Sequence, residues 1–213
     1  MKALIFDLDG VIVDTAKYHF KAWKRTGEKL GFSLSNEQNE SLKGISRIES
    51  LERILDWAKV SLSQKEKETL LHDKNNHYLA QIDKMDRNEI LPGVIDLLTF
   101  AKKNNWPVAL GSASKNATGI LNKLDISTYF DVIVDGNHVT KSKPDPEVFL
   151  KGAEGLNINP KDCIVFEDAA AGIEAAKAAG MIAVGMGDSA EVKIADYCFK
   201  YMTEVTPSFF STL

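Results

Sequence analysis

Cysteine is nearly missing from this 213-residue chain, which has two, Cys163 and Cys198. They lie far apart, and neither has a second Cys or a His at zinc-finger spacing. That excludes a disulfide scaffold and a metal-thiolate centre, and it points to a reducing compartment. Long apolar runs are missing too. The first, Ala3, Leu4, Ile5, Phe6, breaks at Asp7 before it reaches signal-peptide length. Nothing later approaches the roughly twenty residues of a membrane span. A cytoplasmic protein without a membrane partner is expected. Excess positive charge is also lacking: 26 basic against 30 acidic residues leave a formal charge of −4, which offers no general basic face to a nucleic acid. Internal repeats and low-complexity tracts do not occur. The length suffices for a full core, in one large domain carrying a smaller one.

The most informative segment is Phe6, Asp7, Leu8, Asp9, Gly10, Val11. The apolar run before it reads as a strand buried on both faces, which delivers two carboxylates to its carboxyl end. In an open parallel sheet, that end is where ligands bind. Side chains at i and i+2 point the same way, so Asp7 and Asp9 can address one reacting centre, and Gly10 permits a sharp turn after them. Taken alone, the pair is equally compatible with a simple turn.

From Thr15 to about Asp86 the pattern is helical. Ala16, Phe20, Trp23 and Leu30 recur at helical spacing, as do Ile48, Leu51, Ile54, Leu55 and Ala58. Gly31, Gly44 and the polar stretch from Ser33 to Glu40 punctuate them. After Pro92 and Gly93 the chain alternates: a helix from Val94 to Lys103, then strands at Val108 to Leu110, Val132 to Val134, Ile164 to Phe166 and Ile182 to Val184, with helical stretches between them. Such alternation implies right-handed crossovers and a parallel sheet. The expected architecture is α/β: a Rossmann-like parallel-sheet core domain, residues 1–14 and 87–213, with a small helical-bundle cap domain, 15–86, inserted after the first strand.

Three more polar segments follow strands, and the same geometry brings them beside Asp7 and Asp9. In Gly111, Ser112, Ala113, Ser114, Lys115, Asn116, small hydroxyl residues lead into a helix whose free amides and positive dipole end suit a phosphate; Ser114 would serve equally as an N-cap. In Ser142, Lys143, Pro144, Asp145, Pro146, the first proline holds Lys143 extended, and Asp145 can cap a helix that starts at Pro146. A fixed ammonium there would offset phosphate charge. The third segment is Glu167 and Asp168, followed by the small-residue helix from Ala169 to Ala179. Asp168 could be an N-cap. With Asp7 and Asp9, however, the pair makes four acids around one spot, which repel one another unless a hard cation lies between them. Oxygen ligands and a phosphate substrate favour magnesium over zinc.

These four segments, in this order, resemble the haloacid dehalogenase superfamily of phosphotransferases over nearly the whole chain. The resemblance implies that Asp7 is the nucleophile that becomes an aspartyl phosphate, and that Asp9 is the general acid/base. It makes Ser114 and Lys143 the phosphate-binding residues, with Ser112 contributing. Magnesium would be held by Asp7, the carbonyl of Asp9, and Asp168, with Glu167 as a ligand or a partner behind the ligands. An acid at the second position excludes the dehalogenase branch and the ion-pumping ATPases.

A helical cap between the first two motifs belongs to the group that acts on small phosphorylated metabolites. Within it the chain is most similar to the β-phosphoglucomutases. The matches are Thr15 and His19 ahead of Trp23; Leu42, Lys43, Gly44, Ile45, Ser46, Arg47 with Ser50; Lys74 and Asn75; and Lys115 with Asn116 after Ala113. Unaided, His19 and Lys74 read as ordinary helix-surface or hinge residues. The resemblance makes His19 a hinge residue touching the acid/base and Arg47 a cap clamp. It gives Lys115 and Asn116 the phosphate at the far end of the sugar. Ala169 departs from the Ser that often follows the acidic pair. The implied reaction interconverts β-glucose 1-phosphate and glucose 6-phosphate through β-glucose 1,6-bisphosphate, both primer and intermediate, in a monomer. A sugar-phosphate phosphatase using the same residues is the alternative, and a non-catalytic metabolite-binding regulator a more distant one.

Overall fold

The computed structural model describes residues 2–211 and residue 213. Six strands form one parallel sheet: β1 (Ala3–Phe6), β2 (Val108–Gly111), β3 (Val132–Val134), β4 (Cys163–Glu167), β5 (Ile182–Met186) and β6 (Tyr197–Phe199), in the order β3-β2-β1-β4-β5-β6. The chain winds outward from β1 in both directions, so the order reverses beside β1, at the switch point where open α/β sheets bind ligands.

Alternation within the apolar runs divides the core between the two faces of the sheet. Leu4, Phe6, Val108, Leu110, Ile164, Phe166 and Val184 pack on one face, with the apolar sides of α5 (Val94–Lys103) and α6 (Ala117–Lys123). Ala3, Ile5, Ala109, Cys163, Val165 and Ala183 pack on the other, with α7 (Glu147–Leu156) and α8 (Ala170–Ala178). The bounds of α5 and β3 coincide with those read from the sequence, and β2, β4 and β5 each extend one or two residues further.

Four helices fill the insertion: α1 (Ala16–Lys29), α2 (Asn36–Glu40), α3 (Arg47–Ala58) and α4 (Gln64–Ile82). They enclose a separate small core of Trp23, Leu34, Leu42, Ile45, Leu51, Ile54 and Leu55. Helix α2 lies in the stretch expected to be only polar punctuation. Ser35 and Gln38 form a reciprocal capping box there, and Ser46 with Glu49 does the same for α3. Ile48, expected on the apolar stripe of α3, is instead exposed. At the base of the insertion, Ala22, Tyr78 and Ile82 join the main core. Among the described residues no helix is long and apolar enough to cross a membrane.

Two glycines test this packing in opposite senses. At Gly111, the end of β2, a Cβ would lie 2.7 Å from the ring of buried Phe149 on α7; at Gly119, exposed on α6, it would meet nothing within 4 Å. Gly111→Ala should therefore cost about 1–3 kcal/mol by overpacking, and Gly119→Ala should stabilise by about 0.5–1 kcal/mol through helix propensity. Denaturant midpoints of the two variants check both signs.

Candidate active site

The carboxyl ends of β1, β2 and β4 converge on a cavity of about 410 Å³ between the sheet and the helical insertion. Asp7 directly follows β1. Its Oδ2 accepts the amide of Asp9 at 3.1 Å, so the first carboxylate fixes the backbone that presents the second. Gly10 turns the chain away at φ +78°, and a Cβ there would fall 2.1 Å from Oδ2 of Asp168. The glycine is thus needed both for its backbone conformation and for room.

Lys143 is almost wholly buried. Its ammonium donates to Oδ1 of Asp7 at 2.6 Å and to Oε1 of Glu167 at 2.7 Å, and it lies 4.7 Å from the ring centre of Phe149. Burial would lower its pKa, but Asp7 and Glu167 hold it above the ordinary lysine value. Glu167 uses its second oxygen to accept the amide of Ala169 at 2.8 Å. The residue that tethers the start of α8 is therefore Glu167, not Asp168. Asp145 accepts the amide of Glu147, and Pro146 sits at the cap of α7, one position before the first-turn place expected for it.

Asp7, Glu167 and Asp168 each present a carboxylate oxygen within 4.8 Å of the others. Burial, then the charge of Glu167, pushes the pKa of Asp168 well above the usual carboxylate range, opposed by Lys43. Lys43 reaches Oδ2 of Asp168 at 3.6 Å and Glu40 at 2.7 Å. Two lysines thus relieve part of the repulsion that the sequence reading assigned wholly to a cation.

Asp9 is half-buried. Burial, then the charge of Asp7, pushes its carboxyl up to about 7, while Lys74 and Lys143 pull it down. The Thr15 hydroxyl donates to Oδ1 of Asp9. Thr15 is fully buried and does not line the cavity. Ser112 is likewise buried behind the wall, its hydroxyl accepting the amide of Ser114 at 3.1 Å; Ser114 accepts the amide of Asn116 at 3.3 Å. Ala113, Ser114, Lys115 and Asn116 face the cavity, and Asn116 donates to Asn75 of α4 at 3.0 Å.

The insertion contributes His19, Trp23, Gly44, Arg47, Ser50 and Lys74 to the same wall. Gly44, at φ +73°, would bring a Cβ to 3.2 Å from Ala169, so a smooth glycine turn seats the insertion on the start of α8. Ser50 is buried and donates to the carbonyl of Ser46. The Arg47 guanidinium and the Lys115 ammonium have neither a carboxylate nor a hydrogen-bond partner among the described residues; Lys115 accepts the Asn137 side-chain amide only through its backbone carbonyl, at 3.0 Å. The sequence reading gave no role to Lys43, to Lys141 or to Tyr78. Lys43 enters that reading only as one residue of the matched run from Leu42 to Arg47, and Lys141 differs in no local signal from other surface lysines.

Lys74 is far from the surface residue its sequence suggests: it is 3% exposed, between the rings of Trp23 at 4.6 Å and Tyr78 at 4.9 Å. Its ammonium meets Nδ1 of His19 at 2.9 Å. Burial, then the charge of Arg47, lowers its pKa from 10.5 to about 7. Between those values the unfolded chain holds a proton that the folded chain lacks, so this group makes stability rise with pH across that window. Below about 7 both states are protonated and the full penalty stands. Lys74→Met should remove the effect. The stability gained over wild type in denaturant unfolding should grow as pH falls from about 10 to about 7, then level off. A pH-independent difference would contradict the depressed pKa.

Comparison with known proteins fits this geometry. The family model of haloacid dehalogenase-like hydrolases matches residues 1–180. The chain is 46% identical over 208 residues to the β-phosphoglucomutase of Bacillus subtilis, covering 97% of this chain and 92% of that protein. It is 33% identical over 183 residues to a phosphorylated carbohydrates phosphatase of Thermotoga maritima, covering 85% of this chain and 82% of the relative. Among solved structures, β-phosphoglucomutase from Clostridium difficile superposes with a TM-score of 0.95 at 46% identity, covering 100% of this chain and 96% of that one. The converging carboxylates, the buried lysine and these likenesses have one explanation: the chain belongs to the haloacid dehalogenase-like hydrolase family.

Proposed function

We propose that the protein is a phosphoglucomutase that interconverts β-D-glucose 1-phosphate and β-D-glucose 6-phosphate through an aspartyl phosphate and β-glucose 1,6-bisphosphate. The observation that carries the mutase reading is the pair of uncompensated cations, Arg47 and Lys115, on a wall that already has Lys143 beside the carboxylates. A phosphatase needs to hold one phosphate. A mutase must hold a second while the first reacts, and unpaired guanidinium and ammonium groups suit that task.

In this reading a carboxylate oxygen of Asp7 attacks phosphorus as the bond to the sugar oxygen breaks, and Asp9 gives its proton to that oxygen. For the return step, Asp9 takes the proton of the incoming hydroxyl while that oxygen attacks the aspartyl phosphate and frees Asp7. One group must both give and accept a proton, and a pKa raised to about 7 suits both roles near neutrality. Ser114 and Lys143 would bind the reacting phosphoryl group; Arg47, Lys115 and Asn116 would bind the other. His19, Lys74 and Thr15 would position Asp9 as the cap, residues 15–86, closes on the core of residues 1–14 and 87–213. Trp23, Gly44, Ser50 and Ala113 would shape the sugar pocket, and Ser112 would support its loop.

The oxygen-only donor set, with Asp168 raised first by burial and then by its acidic neighbours, fits magnesium. Asp7, Asp168 and the carbonyl of Asp9 would hold the ion. Glu167, with both oxygens already engaged, would act behind them by fixing Lys143 and the start of α8. The ion would supply charge neutralisation at the transferring phosphoryl group. The bisphosphate as primer, a monomeric state and a cytoplasmic location complete the proposal.

Phosphorus NMR tests the reading, with magnesium, β-glucose 1-phosphate and a trace of bisphosphate. Glucose 6-phosphate is the expected product; inorganic phosphate as the main product would establish the phosphatase instead. Asp7→Asn should abolish turnover with the fold intact. Asp9→Asn should still be phosphorylated by a donor with a good leaving group but should fail to transfer to a sugar hydroxyl.

Arg47 separates the two activities. A forked, charge-assisted contact to phosphate is worth on the order of 1.5–3 kcal/mol, so Arg47→Ala should cut mutase flux at least about tenfold. Hydrolysis of acetyl phosphate should suffer much less. An unchanged mutase rate would make Arg47 a solvated cap residue, and equal losses on both donors would indicate general damage.

A further inference from the structure

Asp168 and Lys43 line two cavities. Besides the substrate cavity, a second one of about 570 Å³ is bordered by Gly10, Asp14, Glu40, Asp188 and Lys200 together with this pair. The two cavities differ in charge. Six cationic side chains and three carboxylates face the substrate cavity. Four carboxylates, Asp14, Glu40, Asp168 and Asp188, face the second cavity against two ammonium groups, Lys43 and Lys200. Of the three clustered carboxylates, Asp168, which borders both cavities, is the most exposed: its side chain is 13% exposed, against 6% for Asp7 and 0% for Glu167.

We propose that the second cavity is the path by which a hydrated divalent cation reaches and leaves Asp168, separate from the path of the sugar phosphate. A cation entering the substrate cavity would meet the cationic side chains of Arg47, Lys115 and Lys141, none of which lines the second cavity, and a bound sugar phosphate would obstruct it. The second cavity offers a net negative approach ending on the most exposed carboxylate of the cluster. Anion and cation are thereby sorted to different openings by the sign of the lining. Metal exchange then does not require the sugar phosphate to depart. This inference rests on the reading of Asp168 as a cation ligand.

The test is the association rate of Mn²⁺ with the full-length protein, followed by rapid mixing and electron paramagnetic resonance at low ionic strength. Asp188 and Lys141 are both highly exposed, on the second and the substrate cavity respectively, and neither belongs to the proposed chemistry. Asp188→Lys should slow association by about threefold or more, with the effect fading as salt is raised, while Lys141→Glu should leave the rate within about twofold. Saturating glucose 6-phosphate should leave the wild-type rate within about threefold. The reverse pattern, equal responses in both variants, no response in either, or a block by glucose 6-phosphate would each overturn the separate path. Asp168→Asn distinguishes failure of the underlying reading: it should weaken Mn²⁺ affinity at least about tenfold, and unchanged affinity would remove Asp168 from the ligands.

Discussion

The buried ammonium of Lys143 is the constraint on which the site depends. It joins Asp7 and Glu167, residues 136 and 24 positions away in the chain, at 2.6 and 2.7 Å. Two buried carboxylates that close would not both stay ionised without it, and removing one partner of such a set leaves an uncompensated charge costing about 3–5 kcal/mol. Its position is fixed in turn by apolar packing. Phe149 lies beneath the ammonium, and Gly111 at the end of β2 leaves room for that ring. An electrostatic centre is thus held by the same sheet-to-helix contact that forms the core.

The charge count at this centre has a consequence. Asp7, Asp9, Glu167 and Asp168 face two ammonium groups, those of Lys143 and Lys43. Four carboxylates against these two lysines, with Lys74 near Asp9, leave an excess of negative charge, and burial first and then neighbouring carboxylates raise the pKa values of Asp9, Glu167 and Asp168. A divalent cation is of the sign that would offset that excess. It would also return the carboxylates to the ionised form that a nucleophile and a metal ligand require.

Most of this was legible in the sequence because a parallel sheet puts the ends of its strands on one edge. Motifs far apart in the chain could therefore be placed together once each was seen to follow an apolar run. Strand β6 escaped because Tyr197–Phe199 is a short edge strand without a buried apolar run. Helix α2 escaped although Ser35 and Gln38 signalled it; the capping pair was read as part of a polar loop. Lys74 could not have been recognised as buried from periodicity, since α4 carries polar residues on every side and the cover comes from the rings of Trp23 and Tyr78. Asp168 and Glu167 were legible as a pair, but which of them tethers α8 depended on side-chain direction, which spacing does not encode.

The cap cations and the core carboxylates form one coupled system. Lys74 is depressed first by burial and then by Arg47, yet it is attracted by Asp9 and in contact with His19. A phosphate beside Arg47 would cancel the repulsion between the two cap cations and favour the charged form of Lys74. A charged Lys74 lowers the pKa of Asp9 and so favours its ionised form, the form in which it can take up a proton. Occupation of the distal phosphate position would therefore alter the acid/base through two intervening charges, without any change in the carboxylates themselves. A substrate with no second phosphate would leave Arg47 unneutralised and Lys74 depressed. Asp9 would then hold its proton more firmly, which favours its acid role towards a leaving group and disfavours its base role in the return step, for a reason that lies in the cap.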